Sequence, residues 1–181
     1  MLDKLKSAEV LDNINFDILQ HFDSYCWIAG GALTNALIDK TPVDIDIFFT
    51  SEADKIRAAE KLLDLGYTWV AKYPNGIGLE HQKRIYDIIF LKPTLEETIS
   101  FFDFTICGVA IDKFKKIFAV ENFEKHLAAK ELHYTKNDPT LNKAAVNKCK
   151  RLLKYIGKGF SIDDRNLKMF LKQAVEDHGK K

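Results

Sequence analysis

Residues 25–50 read YCWIAGGALTNALIDKTPVDIDIFFT, and this stretch decides the predicted fold. Its first five residues are apolar and rich in aromatic side chains, and the run closes at Gly30-Gly31, which predicts a strand followed by a tight turn. Residues 32–38 are good helix formers, and a break containing Pro42 ends them. The segment VDIDIFFT at 43–50 alternates apolar and acidic positions, so it predicts a second strand with one apolar face and one acidic face.

Asp44 and Asp46 stand two residues apart on this strand, so both side chains leave the same face, with α-carbons roughly 6.5 to 7 Å apart. That spacing lets the two carboxylates share a pair of metal ions about 3.5 to 4 Å apart. Neither has a basic neighbour within the strand, and a buried carboxylate needs a compensating cation. Oxygen ligands favour Mg²⁺ or Mn²⁺ over zinc. We predict a divalent-cation site here; the alternative is that Asp44 alone binds a metal weakly or caps a turn.

A third acid, Asp87, stands in the apolar segment RIYDIIF at 84–90, which predicts another strand. If this strand pairs beside 43–50, Asp87 completes a cluster of three carboxylates, a ligand set typical of two-metal phosphoryl or nucleotidyl transfer. The alternative is a solvent-facing residue on an edge strand.

The rest of the chain predicts an α+β protein. Ser51 caps a helix that runs to Leu65, a hairpin spans 67–81, and short helices and strands fill 95–130. We expect a twisted mixed sheet that carries the acids, with helices on the opposite face. Asn137-Asp138-Pro139 predicts a boundary between a head domain at 1–137 and a helical extension at 138–181.

Composition predicts an ordinary globular protein. The 181 residues are 46% apolar with a net charge of +1, and the three cysteines have no metal-ligand spacing. No segment resembles a signal peptide or a membrane span, so we expect a cytoplasmic protein with reduced thiols and no membrane partner.

The charge is unevenly distributed along the chain. Between residues 141 and 172 there are nine basic residues and two aspartates, a net charge of +7, which leaves about −6 for residues 1–140. Helical spacing places several of these basic residues on one face, opposite an apolar stripe. This face is either a solvated surface or an RNA-binding shelf. The RNA-binding candidates are Lys143, Lys150, Arg151, Lys154 and Lys158.

The spacing of Gly30-Gly31, twelve residues and then Asp44-Ile45-Asp46-Ile47 resembles the signature of the DNA polymerase β nucleotidyltransferase superfamily. Within it, the chain is most similar to the head and neck of tRNA nucleotidyltransferases, the CCA-adding enzymes, and of bacterial poly(A) polymerases. The resemblance covers residues 25–162. It rests on the turn at 30–35, the segment Phe-Phe-Asp-Phe-Thr-Ile-Cys at 101–107, and Arg-Leu-Leu-Lys-Tyr at 151–155 followed by Gly159-Phe160.

The chain departs from that family at several recognition positions. Thr34-Asn35 replaces Arg-Asp, Phe101-Phe102 replaces two arginines, Cys107 replaces Asn, and no Glu-Asp-x-x-Arg motif follows Gly159-Phe160. We therefore expect a compact relative, such as the small nucleotidyltransferases of phages, rather than a full CCA-adding enzyme.

The resemblance implies attack by an acceptor hydroxyl, on RNA or tRNA, on the α-phosphorus of a nucleoside triphosphate. Gly30 and Gly31 would hold phosphates, Thr34 and Asn35 occupy further nucleotide-binding positions, and Asp103 either holds a sugar hydroxyl or caps its segment. Two alternatives stay open: transfer to a protein or small molecule, and a non-catalytic nucleotide- or RNA-binding relative. The identity of any protein partner is not predicted.

Overall fold

A computed structural model describes residues 1–135 and 145–178, and a seven-stranded mixed sheet is its centre. The order across the sheet is β3-β4-β5-β2-β1-β6-β7. The strands are β1 (Cys26–Ala29), β2 (Asp44–Phe49), β3 (Thr68–Lys72), β4 (Gly76–His81), β5 (Arg84–Ile89), β6 (Val109–Asp112) and β7 (Ile117–Ala119).

Seven α-helices and three short 3₁₀ helices surround the sheet in the described part of the chain. Local signals explain several helix starts: the Ser51 hydroxyl accepts a hydrogen bond from the Asp54 amide, and the Thr94 hydroxyl accepts one from the Glu97 amide. The α-helices are α1 (Ala8–Asn13), α2 (Gly31–Leu37), α3 (Glu52–Asp64), α4 (Leu95–Ser100), α5 (Phe123–Ala129), α6 (Ala145–Ile156) and α7 (Asp164–His178), and the 3₁₀ helices span Leu2–Lys6, Phe16–His21 and Thr105–Cys107.

The central pair of strands, β2 and β5, is parallel, and it sets Asp46 directly opposite Asp87. The other pairings of the sheet are antiparallel. The predicted α+β fold with a mixed sheet is therefore confirmed, and the strand that carries Asp87 lies beside the strand that carries the aspartate pair.

The alternation in β2 separates an apolar layer from the acids, as predicted. Ile45, Ile47 and Phe49 are fully buried in the larger of two core clusters, between the sheet and the helices. A smaller cluster lies on the acid-bearing face, where Leu95 and Ile99 of α4 pack on the β1 and β6 side of the sheet. One short helix therefore shares the face that the sequence analysis assigned to the acids alone.

Helix α6 packs through part of the apolar stripe that its sequence predicts, which includes Cys149, Leu152 and Ile156. Leu152 is buried and Cys149 packs against the core, but Tyr155 is buried in addition and Ile156 is 43% exposed. Lys143 and the predicted boundary between residues 137 and 138 lie outside the described residues. None of the helices in the described part of the chain has the length and apolar character needed to cross a membrane.

Candidate active site

Three aspartates lie together on one face of the sheet, where β2 and β5 run side by side. Asp44 and Asp46 come from β2, and Asp87 comes from β5. Burial, followed by the charges of Asp87 and Asp44, raises the pKa of Asp46 to about 7. Burial and the charge of Asp44 raise the pKa of Asp87 to about 6. Their negative charges therefore oppose one another at a partly buried site.

The acids fit a divalent cation by their chemistry. One oxygen of Asp87, Oδ1, is buried and has no hydrogen-bond partner among the described residues, and a cation would compensate such an atom. Carboxylate oxygens are the ligands that Mg²⁺ and Mn²⁺ prefer. In residues 1–135 and 145–178, however, no three acidic, His or Cys side chains converge closely enough to form a ready-made metal cluster. The structure supports the shared face, and the ligand set remains a proposal.

These raised pKa values predict how stability depends on pH. A carboxyl group whose pKa is higher in the folded than in the unfolded protein binds extra protons on folding, so stability falls as pH rises from about 4 to 7. We expect the Asp46→Asn variant to lack this contribution, because its amide does not titrate. The test is urea unfolding of both proteins, without metal, between pH 4 and 8. A free-energy difference that is constant across this range would contradict the prediction.

Mg²⁺ should act on the same groups in the same experiment. We expect Mg²⁺ at pH 8 to raise the melting temperature of the wild-type protein, because it neutralises the opposed carboxylates, and to have little effect on Asp46→Asn.

The Gly30-Gly31 turn lies at the end of β1 and begins α2. Gly30 has φ +82°, a conformation that side chains disfavour, and a Cβ on it would lie 3.2 Å from the ring of Phe102. A Cβ on Gly31 would lie 3.3 Å from the hydroxyl of Tyr155 on α6. The turn therefore needs glycine at position 30 for its backbone, and both positions are close to aromatic side chains.

Helix α6 faces the acids, and the two sides enclose a cavity of about 320 Å³. Lys154 Nζ lies 3.6 Å from Asp44 Oδ2. The helical spacing predicts that the basic face of this helix points to solvent, whereas in the structure part of that face lies toward the head. The cavity is lined by Gly31, Asp44, Asp46, Lys150, Arg151, Lys154 and Tyr155.

Asp103 and Arg151 form an ion pair between the head and α6, with Arg151 Nε 3.3 Å from Asp103 Oδ1. The Asp103 side chain is only 1% exposed, whereas that of Arg151 is 37% exposed. Burial alone would lower the pKa of the Arg151 guanidinium, but the charge of Asp103 outweighs it and raises that pKa above its usual value. Asp103 therefore holds α6 in place in this structure.

The two remaining candidates from the turn, Thr34 and Asn35, are both buried in α2. The Thr34 hydroxyl donates its hydrogen bond to the Ile106 carbonyl oxygen at 2.5 Å and lies 3.3 Å from the Gly30 carbonyl oxygen, so this side chain packs α2 rather than lining the cavity. Asn35 Oδ1 accepts a hydrogen bond of 2.5 Å from Lys158 Nζ. Burial, followed by the charge of Lys154, lowers the pKa of Lys158.

Two side chains at the site were not identified from the sequence. Tyr155 lies over Gly31, and its hydroxyl is 2.9 Å from the Cys107 sulfur. Phe102 covers Gly30 and packs edge-on against Phe48. Both stand at motif positions, but only the fold shows that an aromatic ring faces each glycine.

A model of the Gabija anti-defense 2 protein family matches residues 1–130 of the chain. This range contains the whole sheet and the helices α1 to α5. No curated protein sequence matches the chain.

Solved structures of tRNA-processing enzymes share the fold of the chain. The Thermotoga maritima CCA-adding enzyme complexed with tRNA is 20% identical, with a TM-score of 0.65 over 97% of this chain and 44% of the enzyme. A CCA-adding enzyme with CTP is 20% identical, with a TM-score of 0.67 over 97% of this chain and 45% of that one. A tRNA nucleotidyltransferase with a primer tRNA and an ATP analogue is 22% identical, with a TM-score of 0.62 over 84% of this chain and 47% of that enzyme.

These similarities confirm the nucleotidyltransferase-like fold that the motifs predict. The chain spans less than half the length of these structural relatives.

Proposed function

Because this chain belongs to the Gabija anti-defense 2 family and has a nucleotidyltransferase-like fold, we propose that it is a nucleotidyltransferase. It transfers a nucleoside monophosphate from a nucleoside triphosphate to an acceptor hydroxyl. The acceptor oxygen forms a bond to the α-phosphorus, the bond from that phosphorus to the bridging oxygen breaks, and pyrophosphate leaves.

One observation carries this proposal: the pairing of Asp46 with Asp87 on parallel strands, with Asp44 on the same face. Partly buried carboxylates that repel one another destabilise a fold unless a cation neutralises them, so such a cluster is typical of a functional site. Asp44 and Asp46 would hold Mg²⁺ or Mn²⁺, which supplies positive charge to the phosphates when it is bound. Asp87 would accept the proton of the attacking hydroxyl, and its pKa of about 6 suits a base that works near neutral pH.

The triphosphate would lie at the cavity between the head and α6. Of the two turn glycines, Gly31 lines this cavity, whereas the Phe102 ring covers Gly30. Gly31 would let a phosphate approach the backbone N–H groups of the turn. Lys150 and Lys154 line the same cavity and supply positive charge. Asn35 and Asp103 support this arrangement through their pairs with Lys158 and Arg151.

For the acceptor we favour RNA. Residues 141–172 carry a net charge of +7, and four of their nine basic residues stand on α6; such a charge attracts a polyanion. Lys150 is exposed at the cavity, Lys154 lies one turn further along α6, and Lys158 follows in the turn after the helix. The family name supports a second candidate, transfer to a hydroxyl on a protein of the Gabija system.

Incubation of the protein with each radiolabelled nucleoside triphosphate, Mg²⁺ and either total RNA or purified Gabija proteins tests the proposal. We expect label in RNA, with pyrophosphate released in equal amount. Label in a Gabija protein would keep the reaction and change the acceptor. Absence of label from both, in Mg²⁺ and in Mn²⁺, would contradict nucleotidyl transfer.

A further inference from the structure

The acid-bearing face of the sheet continues beyond Asp87 onto β4, and there it lacks side chains. Gly78 pairs with Asp87, and Gly76 pairs with Ile89. Directly paired residues project to the same face of a sheet, so both glycines stand beside the acids. Their missing side chains leave a shallow trough in the sheet next to Asp87.

The side chain of Tyr73, just after β3, occupies this trough. A Cβ on Gly76 would lie 3.6 Å from Tyr73 Cδ2, and one on Gly78 would lie 3.4 Å from Cε2 and 3.2 Å from the hydroxyl. One edge of the ring therefore runs along both glycines toward Asp87. The Tyr73 amide donates a 2.8 Å hydrogen bond to the Gly76 carbonyl, which fixes the start of the side chain.

The Tyr73 hydroxyl lies near Asp87 Oδ1, an oxygen with no hydrogen-bond partner in the described part of the chain. The Cβ position on Gly78 is 3.1 Å from Asp87 Oδ1 and 3.2 Å from the Tyr73 hydroxyl, so both oxygens border the same point. Burial, followed by the charges of Asp87 and Asp46, raises the pKa of Tyr73. The phenol thus shares the electrostatic environment of the acids.

Although Tyr73 lies against the sheet, 45% of it is exposed. A ring that served only to fill the trough would be more fully buried. The exposed part of this ring instead extends the acid face as a flat apolar surface, on the side of Asp87 away from α6 and the glycine turn. An acceptor that approaches Asp87 from this side meets Tyr73 first.

We propose that Tyr73 binds the acceptor by stacking on the base of its terminal nucleotide, which places the terminal hydroxyl beside Asp87. This inference rests on the proposed function, and it specifies the acceptor as the 3′ end of a single-stranded nucleic acid. Aromatic side chains stack on any base, so Tyr73 contributes affinity and position rather than sequence specificity.

The test compares two probes: a short single-stranded RNA with a free 3′ hydroxyl, and the same RNA with an abasic 3′ nucleotide. Binding of each probe to the full chain is measured by fluorescence anisotropy. The buffer contains Ca²⁺ in place of Mg²⁺, so that binding is measured independently of nucleotidyl transfer. We expect the wild-type protein to prefer the probe with a base by roughly 5- to 150-fold, the range for one stacked base. Tyr73→Ala should abolish this preference, and Tyr73→Phe should retain it.

Trp69→Ala is the matched control. Trp69 on β3 is an aromatic residue of similar exposure, 52% against 45% for Tyr73. It pairs with Leu79, whose side chain is buried in the core on the opposite face. The Trp69→Ala variant should therefore keep the preference for the probe that has a 3′ base. A preference that survives in Tyr73→Ala, or is missing from the wild-type protein, would overturn the inference. So would mass spectrometry showing that Tyr73 itself carries the nucleotide, because its hydroxyl would then be the acceptor.

These results are separable from the proposed function. Nucleoside triphosphate binding and label incorporation measure the reaction, whereas the base preference measures Tyr73 alone.

Discussion

Replacement of Asp44 and Asp46 together by Asn is expected to abolish nucleotidyl transfer. The amides keep the shape of the side chains and lose the charge that would hold the cation, and cation stabilisation of a phosphoryl transition state amounts to several kcal/mol. The transfer rate should therefore fall on the order of 10³-fold or more. The measurement is incorporation of labelled nucleotide at saturating triphosphate.

The folded state of this double variant should be as stable as the wild-type protein, or more stable. The carboxylates repel one another where they stand, so their neutralisation removes an unfavourable interaction. Asp12→Asn with Asp17→Asn is the matched control, because it removes the same charge from two exposed positions in the N-terminal segment. Full activity in the Asp44/Asp46 variant would end the proposed mechanism; equal loss in the control would assign the effect to net charge.

The acid face was predictable because a strand has a two-residue period. Apolar and acidic residues alternate around Asp44 and Asp46. Only one orientation of this strand buries its apolar side chains in the core and leaves the acids on the opposite face. The position of Asp87 was predictable for a related reason, because a carboxylate within an apolar strand needs a compensating partner. The structure places the strand of Asp87 beside the strand of Asp44 and Asp46. Local sequence was enough to predict the shared face of these three residues; their role as metal ligands stays a prediction.

The orientation of α6 was not predictable in the same way. A helical wheel assigns Ile156 to the core and Lys154 to solvent, because hydrophobicity takes no account of the surface that the helix meets. Ile156 is instead 43% exposed, and Lys154, although 46% exposed, contacts Asp44. In the folded chain that surface carries Asp44 and Asp103, which attract Lys154 and Arg151. The aliphatic parts of long basic side chains also cover apolar surface. The basic face of a helix can therefore pack against the rest of the protein, as that of α6 does here.

The environment of Tyr73 also depends on pairing between strands. Its position next to Asp87 requires the register that brings Gly76 and Gly78 onto the acid face. Two glycines with one residue between them in a strand are the sequence signal, because they predict a close approach by another group. The signal does not identify that group, which here is the Tyr73 ring.

The ion pair between Asp103 and Arg151 joins the head to α6. Asp103 is almost fully buried, and its carboxylate oxygens have no hydrogen-bond partner within residues 1–135 and 145–178. Arg151, by contrast, reaches solvent. Loss of Arg151 therefore leaves a buried charge uncompensated, whereas loss of the Asp103 charge leaves a guanidinium that water can hydrate.

We accordingly expect unequal effects on the free energy of unfolding in urea. Arg151→Gln should cost about 2 to 3 kcal/mol, which is below the usual cost of breaking a fully buried pair because Arg151 is partly exposed. Asp103→Asn should cost about 1 kcal/mol. The double variant should be more stable than Arg151→Gln alone, because the neutral amide that replaces the Asp103 carboxylate removes the uncompensated charge. Equal costs for the two single variants, or a double variant that is less stable than both, would show that the pair does not hold α6 through the charge of Asp103.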